Sequence, residues 1–224
     1  MKITLCIETS GPHCSLALAA GEQIFHRAEP LQRRHNERVL PLIQALYQEA
    51  GVSLEATELV GFGAGPGSFT GVRIAASIAQ GLALATNSRV VPMPGSEILL
   101  ASARRQYSGP QKMGWLVSIP SRADAYYLSF YRQRGDEVVC ETSDVLVTSA
   151  PAWLAEQAKA HDQTMLIGER PDWLDTTEQI RALGPIAPSA AAMIHIARSR
   201  APLPAEEALP IYLQGDSPWQ PMVR

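Results

Sequence analysis

Two short polar segments carry the side chains that could do chemistry in this chain of 224 residues. Glu8, Thr9 and Ser10 come directly after an apolar strand pattern, and the glycine-rich run 63–68 ends in Ser68. A carboxylate can hold a metal ion, a hydroxyl can act as a nucleophile, and a glycine-rich turn before a helix lets a phosphate approach backbone N–H groups. The spacing leaves three interpretations of the second segment open: a structural turn, a nucleotide-proximal loop and a catalytic loop.

Known phosphate and nucleophile motifs do not match this turn. A Walker-type loop needs a lysine that the run lacks, and the glycine spacing differs from the dinucleotide-binding fingerprint. A nucleophile elbow would need glycines where Pro66 and Thr70 stand. The residues that we expect nearest to a nucleotide, if one binds, are Glu8, Thr9, Ser10, Gly65, Pro66, Gly67 and Ser68.

The spacing of the histidines and cysteines and the net charge of the chain exclude some classes of function. The five histidines never fall at i, i+4 on one helix, and none of the three cysteines is paired at C-x-x-C spacing. We therefore predict no metal site and reduced structural thiols. The formal net charge is −3 and the basic residues are scattered, whereas a protein that grips tRNA alone usually has a large basic surface. Any contact with tRNA is therefore expected to go through a partner.

Strands and helices that alternate along the chain are predicted to position these residues. Strands are predicted over 3–7, 14–19, 23–26, 58–63 and 89–92, and again over 112–119, 125–131, 137–141 and 164–167. Helices are predicted over 36–50, 68–85, 96–106, 151–160 and 189–198. Pro41 predicts that the first helix either becomes regular near Leu40 or is kinked. The pattern occurs twice and predicts two stacked α/β lobes, 1–108 and 109–224, joined at loop-like residues 108–110.

The helix after the glycine-rich turn has an unusual apolar pattern. Small residues recur at every fourth position beside a ridge of large ones; the small ridge is Gly71, Ala75, Ala79 and Ala83. A helix that is apolar around most of its circumference is buried on more than one side, and a small ridge lets a second helix come close. Packing on its own sheet and first helix is one interpretation. Packing on a helix from another subunit is the second, and both can hold on different faces.

The apolar runs also bear on location. The longest, Ile74–Ala85, is interrupted by Ser77 and Gln80 and stays below the roughly 18 residues that a membrane-spanning helix needs. The first residues enter a strand pattern without the features of a signal peptide. We therefore expect a cytoplasmic protein that does not contact a membrane.

The run GAGPGSFTGVRIAASIAQGLALA, residues 63–85, resembles the signature of the TsaB (YeaZ) family. LCIETS at 5–10 resembles the family's opening strand, and LPIYL at 209–213 resembles its closing strand. Arg34-His35, followed by Val39-Leu40-Pro41, resembles the family's histidine before a Leu-Pro helix. The first half of the chain resembles the family almost continuously, and the second half only in patches.

The resemblance implies a two-lobed α/β fold of the actin-like/sugar-kinase (ASKHA, ribonuclease H-like) type, with mixed sheets flanked by helices. It also implies a catalytically silent, cytoplasmic paralogue of TsaD that binds and activates TsaD, together with the ATPase TsaE, in the synthesis of N6-threonylcarbamoyladenosine in tRNA. Isolated members form homodimers through the same surface. No cofactor of its own is implied, although ATP or ADP is allowed at the interface of the complex, and tRNA contact is indirect. The expected interface residues are His35, Val39, Ile43, Gly71, Arg73, Ala75, Ser77, Ala79, Gln80 and Ala83.

Several positions depart from the family pattern. Glu8 stands where the superfamily has an aspartate, and the extra methylene would misplace a metal-binding carboxylate. In the second lobe, 120–126 keeps only Arg122 and Tyr126 of the expected motif. An enzyme of the same superfamily, either a metal-dependent peptidase or a nucleotide hydrolase, is the alternative. A homodimer with its own regulatory role would use the same surface.

Overall fold

The computed structural model describes residues 2–30, 35–107, 109–110, 112–122, 124–176 and 179–213, with only the backbone at 35–37. The chain divides into two compact units. Unit 1 joins Met1–Tyr107 to Ile186–Pro210, and unit 2 joins Ser108–Pro185 to Ile211–Arg224. The segment 186–210, which the sequence places in the second lobe, therefore clusters with the first half of the chain.

Unit 1 is a five-stranded mixed sheet with helices on both faces. Its strands are β1 (Ile3–Glu8), β2 (His13–Ala20), β3 (Gln23–Pro30), β4 (Thr57–Gly65) and β5 (Arg89–Pro94). Its helices are α1 (His35–Ala50), α2 (Phe69–Thr86), α3 (Gly95–Gln106) and α5 (Ala190–Ser199). The strand order is β3-β2-β1-β4-β5, with β1 antiparallel to β2 and parallel to β4.

The two faces of this sheet have separate cores. Alternate residues of β1 point to opposite faces, so Ile3, Leu5 and Ile7 pack with α1 and α2. Cys6, from the other face, packs with α3 and α5. Every residue of β1 is buried because helices cover both sides of the sheet.

Unit 2 repeats the same strand arrangement, with one short helix among its described residues. Its elements are β6 (Lys112–Arg122), β7 (Ala125–Arg134), β8 (Glu137–Val147), α4 (Ala152–Lys159), β9 (Thr164–Gly168) and β10 (Ile180–Ala182). The order is β10-β9-β6-β7-β8, with β6 antiparallel to β7 and parallel to β9. Leu154 and Ala158 of α4 pack on Leu116, Leu128 and Leu166 of the sheet.

Most predicted elements are present. β3 and β8 run further than predicted, to Pro30 and Val147, and β10 is an additional strand of three residues, too short to leave a periodic pattern. Helix α1 spans His35–Ala50, close to the predicted 36–50, and continues through Pro41, so the alternative of a start near Leu40 is wrong. Residues 209–213 form no strand, although their sequence resembles the closing strand of the family; nearby, Leu203 makes an isolated antiparallel bridge to Val90.

Candidate functional site

The carboxyl group of Glu8 lies buried at the end of β1, with 1% of the residue exposed. Its Oε1 accepts hydrogen bonds from the backbone N–H of Ser10 at 2.6 Å and from the Ser10 hydroxyl at 2.5 Å. Among the described residues, its Oε2 has no hydrogen-bond partner. Burial raises the pKa of Glu8, and the hydrogen bonds from Ser10 and Gly11 only partly oppose that rise.

The glycines of the turn fit closely around this carboxyl group and the residues after it. A Cβ at Gly63 would overlap the carboxylate of Glu8, and one at Gly71 would overlap the carbonyl oxygen of Thr9. A Cβ at Gly67 would lie 2.7 Å from the Cβ of Ser10. Gly65 has a φ of 97°, in the left-handed region that glycine adopts without a steric cost.

Two hydrogen bonds join the segment after β1 to the start of α2, and a third caps the helix itself. The Thr9 hydroxyl donates to the carbonyl of Gly71 at 2.7 Å, and the N–H of Ser68 donates to the carbonyl of Ser10 at 2.8 Å. Within the turn, the Ser68 hydroxyl caps α2 by accepting from the N–H of Gly71 at 3.3 Å. The structure thus brings together the residues that the sequence predicts beside a nucleotide: Glu8, Thr9, Ser10, Gly65, Pro66, Gly67 and Ser68.

This arrangement does not fit a bound nucleotide phosphate, which the glycine spacing left open for this turn. A phosphate-binding glycine loop leaves room and free N–H groups for the ligand. Here the space beside Gly71 is filled by the Thr9 carbonyl, the space beside Gly67 is filled by the Ser10 side chain, and the N–H of Ser68 is bonded to the chain itself. Among the described residues, no group of three or more His, Cys, Asp or Glu side chains could hold a metal ion.

The small ridge of α2 faces the interior of unit 1. Ala75, Ala79 and Ala83 are almost completely buried and belong to the core formed with β1 and β2. The ridge therefore packs on its own sheet, as the first of the two interpretations expects. Six of the expected interface residues are buried within the chain itself, and their contact with a partner stays a prediction: Val39, Ile43, Gly71, Ala75, Ala79 and Ala83.

The opposite face of α2 is open to solvent. Ser77, Gly81 and Ala85 are exposed and form a second row of small residues at every fourth position. A Cβ at Gly81 would meet nothing within 4 Å, and Leu84 beside it is 64% exposed. This row was not predicted from the sequence, although its i, i+4 spacing is legible there.

The predicted polar positions of α2 lie on or beside this open face. Ser77 is exposed, and Arg73 and Gln80 are half-buried. The guanidinium carbon of Arg73 lies 3.3 Å from the centre of the Phe69 ring, in a cation–π contact at the start of the helix. The side chain of His35, the remaining expected interface residue, lies outside the described residues.

Large apolar side chains are exposed on both α1 and α2. Leu40 on α1 and Phe69 on α2 are each more than half exposed, like Leu84. We use the name "outward face" for the side of α2 formed by Phe69, Arg73, Ser77, Gly81, Leu84 and Ala85.

Helix α2 also bears on the expectation about membranes. Judged by length and composition, Phe69–Thr86 could cross a membrane, with a mean hydropathy of 1.2 over 18 residues. The prediction from uninterrupted apolar runs did not identify it. One third of this window is buried inside the unit, on the side of the small ridge.

Comparison with known proteins decides the family. The family model described as "TsaD: tRNA N6-adenosine threonylcarbamoyltransferase" matches residues 28–169. The tRNA threonylcarbamoyladenosine biosynthesis protein TsaB of Haemophilus influenzae is 37% identical over 125 residues, which are 56% of this chain and 52% of that protein. The protein of the same name from Escherichia coli is 35% identical over 129 residues, 58% of this chain and 54% of that one. This chain belongs to the TsaB (YeaZ) family.

Solved structures agree with that assignment. YeaZ from Pseudomonas aeruginosa is 28% identical with a TM-score of 0.76, and the match covers 95% of this chain and all of that one. A second structure from Pseudomonas aeruginosa, described as an uncharacterized protein with similarity to peptidase YEAZ, is 30% identical with a TM-score of 0.78 and covers 96% of this chain and all of that one. The actin-like α/β fold expected from the sequence is confirmed. The matched region spans about half the length of the curated TsaB relatives.

Proposed function

We propose that this TsaB-family chain is the non-catalytic subunit that binds and activates a TsaD-type transferase in the synthesis of N6-threonylcarbamoyladenosine in tRNA. The names of its relatives support the pathway. The observation that carries the binding role is the outward face of α2, where the large apolar side chains of Phe69 and Leu84 are exposed to solvent.

The chemistry of the outward face suits a helical partner. Gly81 leaves a notch between Ser77 and Ala85, so a second helix can approach closely. Leu84 and Phe69 would supply the apolar anchors, and Arg73 is a residue type common at interface hot spots. A contact of this kind buries apolar surface that the unpartnered chain leaves exposed.

The remaining parts of the proposal concern the complex. We propose that TsaE joins the assembly and that tRNA contacts it through TsaD. The chain would hold no cofactor of its own, and ATP or ADP would bind, where it binds, at the interface of the complex. The isolated chain would form a homodimer through the outward face. The location would be cytoplasmic.

Co-purification with TsaD from the same genome tests the binding role. The unaltered chain should be retained with tagged TsaD, with and without TsaE and ATP. Leu84→Glu should abolish retention because it places a charge in an apolar contact, whereas Ile24→Glu, at an exposed position on β3, should bind normally. Equal retention of both variants would contradict the assignment of the outward face, and no retention of the unaltered chain would contradict the binding role itself.

An enzyme is the alternative, since one solved relative is described as similar to a peptidase. A peptidase would need a metal or a nucleophile, and a nucleotide hydrolase would need room for phosphate. Metal content, peptide cleavage and ATP turnover of the purified chain separate these classes. Turnover that survives Leu84→Glu and needs no TsaD would favour the enzyme.

A further inference from the structure

The contacts between the end of β1 and the start of α2 form a continuous connection, which we name the latch: Glu8, Thr9, Ser10, Ser68 and Gly71. Glu8 holds Ser10 through two hydrogen bonds. Ser10 and Thr9 in turn hold the backbone at Ser68 and Gly71. Except for Ser68, which is exposed, the members are buried, so water does not compete for these bonds.

Glycine at position 71 is what lets the two segments touch. A side chain there would overlap the carbonyl oxygen of Thr9 and also crowd the Cα of Ser10 at 3.1 Å. An alanine would favour the helix by up to about 1 kcal/mol over glycine on intrinsic propensity. The sequence nevertheless has glycine, which is consistent with a position where backbone approach decides the residue.

The contacts along the length of α2 differ in kind from those at its start. Its buried ridge presents mainly alanine methyl groups, and the partly buried Ile74, Ile78 and Leu82 pack beside that ridge on the same core. These apolar contacts are non-directional. Phe69 and Thr70, in the first turn, point to solvent. The latch therefore supplies the directional contacts at the start of the helix.

The position of α2 along its axis affects the outward face because the helix is long. Eighteen residues span about 27 Å at about 1.5 Å per residue, so a shift at the start displaces the whole outward face. Gly81, Leu84 and Ala85 lie three to four turns beyond the latch. Their alignment depends on where the helix begins.

We propose that the latch sets the position of α2 and so aligns the outward face for docking, which makes Glu8, Ser10 and Gly71 positioning residues rather than phosphate ligands. This inference rests on the proposed docking to TsaD. It assigns a structural use to a glycine-rich turn whose spacing left a nucleotide-proximal loop open as an interpretation. The chain's own backbone and side chains take the place of the ligand.

Two variants test the latch without altering the outward face. Gly71→Ala forces Thr9 away from the helix, and Ser10→Ala removes one of the two donors to Glu8. Gly184→Ala is the matched control, because a Cβ there meets nothing within 4 Å. The two readouts are hydrogen exchange of the backbone amides at 68–72 and the affinity for TsaD.

Gly71→Ala should speed exchange at 68–72 at least tenfold and weaken TsaD binding at least tenfold, while the amides of β2 and β4 stay protected. Ser10→Ala should also speed exchange at 68–72 and weaken TsaD binding, with smaller effects. If the amides of the whole sheet lose protection in Gly71→Ala, the result for Ser10→Ala decides the test. Gly184→Ala should match the unaltered chain in both readouts.

Unchanged exchange at 68–72 in both variants would overturn the latch. A loosened helix start with unchanged affinity would overturn its role in docking. Failure of the unaltered chain to bind TsaD would overturn the proposed function and the docking role together, whereas the exchange result would still decide whether the latch holds α2.

Discussion

The two sheets of this molecule have the same order of strands but differ in the element that comes after the fourth strand. Numbered within each unit, both sheets run 3-2-1-4-5, with the first three strands antiparallel and the last two added in parallel. In unit 1, β4 leads into an α2 of 18 residues. In unit 2, the described residues between β9 and the three-residue β10 form no helix.

The glycines that end the fourth strand of each unit show the same difference between the units. Gly65 ends β4 with a φ of 97°, and Gly168 ends β9 with a φ of 93°. The backbone thus turns in a similar way at both places, but only the first turn meets a buried acid and launches a helix. Strand topology is common to both units, whereas the elements of the proposed docking belong to unit 1 alone.

The largest effect that separates the units should come from Gly63→Ala. The new methyl group would overlap the Glu8 carboxylate, and overpacking of this kind costs about 3 kcal/mol. Gly184→Ala in unit 2 adds its methyl group to open space and should change stability by less than about 0.5 kcal/mol. Denaturant unfolding of both variants gives the comparison, and equal stabilities would contradict the close fit at β4.

A second difference should appear as pH changes, because strand β1 ends in a buried acid and β6 does not. Burial raises the pKa of Glu8 above 4.5, so the folded state favours the protonated form. Its stabilising contribution is full below the ordinary pKa and is lost as pH rises through the raised value. Besides the Ser10 and Gly11 donors, the neighbouring titratable group is the buried Cys14 thiol.

Glu8→Gln should remove this dependence. Measured by denaturant unfolding across pH 4 to 8, the unaltered chain should lose stability relative to Glu8→Gln as pH rises. Glu22→Gln, on the exposed turn between β2 and β3, controls for the loss of a carboxylate. A stability difference between the unaltered chain and Glu8→Gln that stays constant with pH would contradict a protonated Glu8.

The smallest of the three effects on stability should come from the segment 186–210, which contains α5 and clusters with unit 1. Arg198 of α5 donates to the Thr4 hydroxyl and to the carbonyls of Gly21 and Lys2, at 2.8 to 3.1 Å. Arg198→Ala should cost about 2 kcal/mol, since hydrogen bonds from a charged group contribute about 1.5–3 kcal/mol and these are partly exposed. Arg181→Ala, exposed on β10, should cost less than about 0.5 kcal/mol. Equal unfolding midpoints would contradict the anchoring of α5 to the first sheet.

Much of the fold could be predicted because strands and helices leave periodic patterns. The alternation around β1 and the apolar periodicity of α2 located these elements to within a residue or two. Strand β10 is too short for any period, and the assignment of α5 to unit 1 depends on contacts across nearly 200 positions of sequence, such as Arg198 to Lys2. Propensity carries no information about such contacts.

The candidate site could be predicted only in part. The sequence pattern identified Glu8 and the glycine-rich turn as candidates. It did not predict that Thr9 and Ser10 occupy the space beside the turn glycines. The small ridge of α2 was recognised, but which of its two small-residue rows faces the sheet depends on the rotation of the helix. Gly71 and Gly81 look alike in the sequence, and only their surroundings distinguish them.

Binding of TsaD by two matched variants tests the central claim most directly, because exposed alanines occur both on α2 and on α4. Ala85→Glu places a carboxylate on the outward face, and Ala155→Glu places the same group on α4 of unit 2. Titration calorimetry should show Ala85→Glu binding TsaD at least about 100-fold more weakly, a loss of about 3 kcal/mol typical of a disrupted hot spot. Ala155→Glu should bind like the unaltered chain. Equal affinity of the two variants would contradict docking through the outward face.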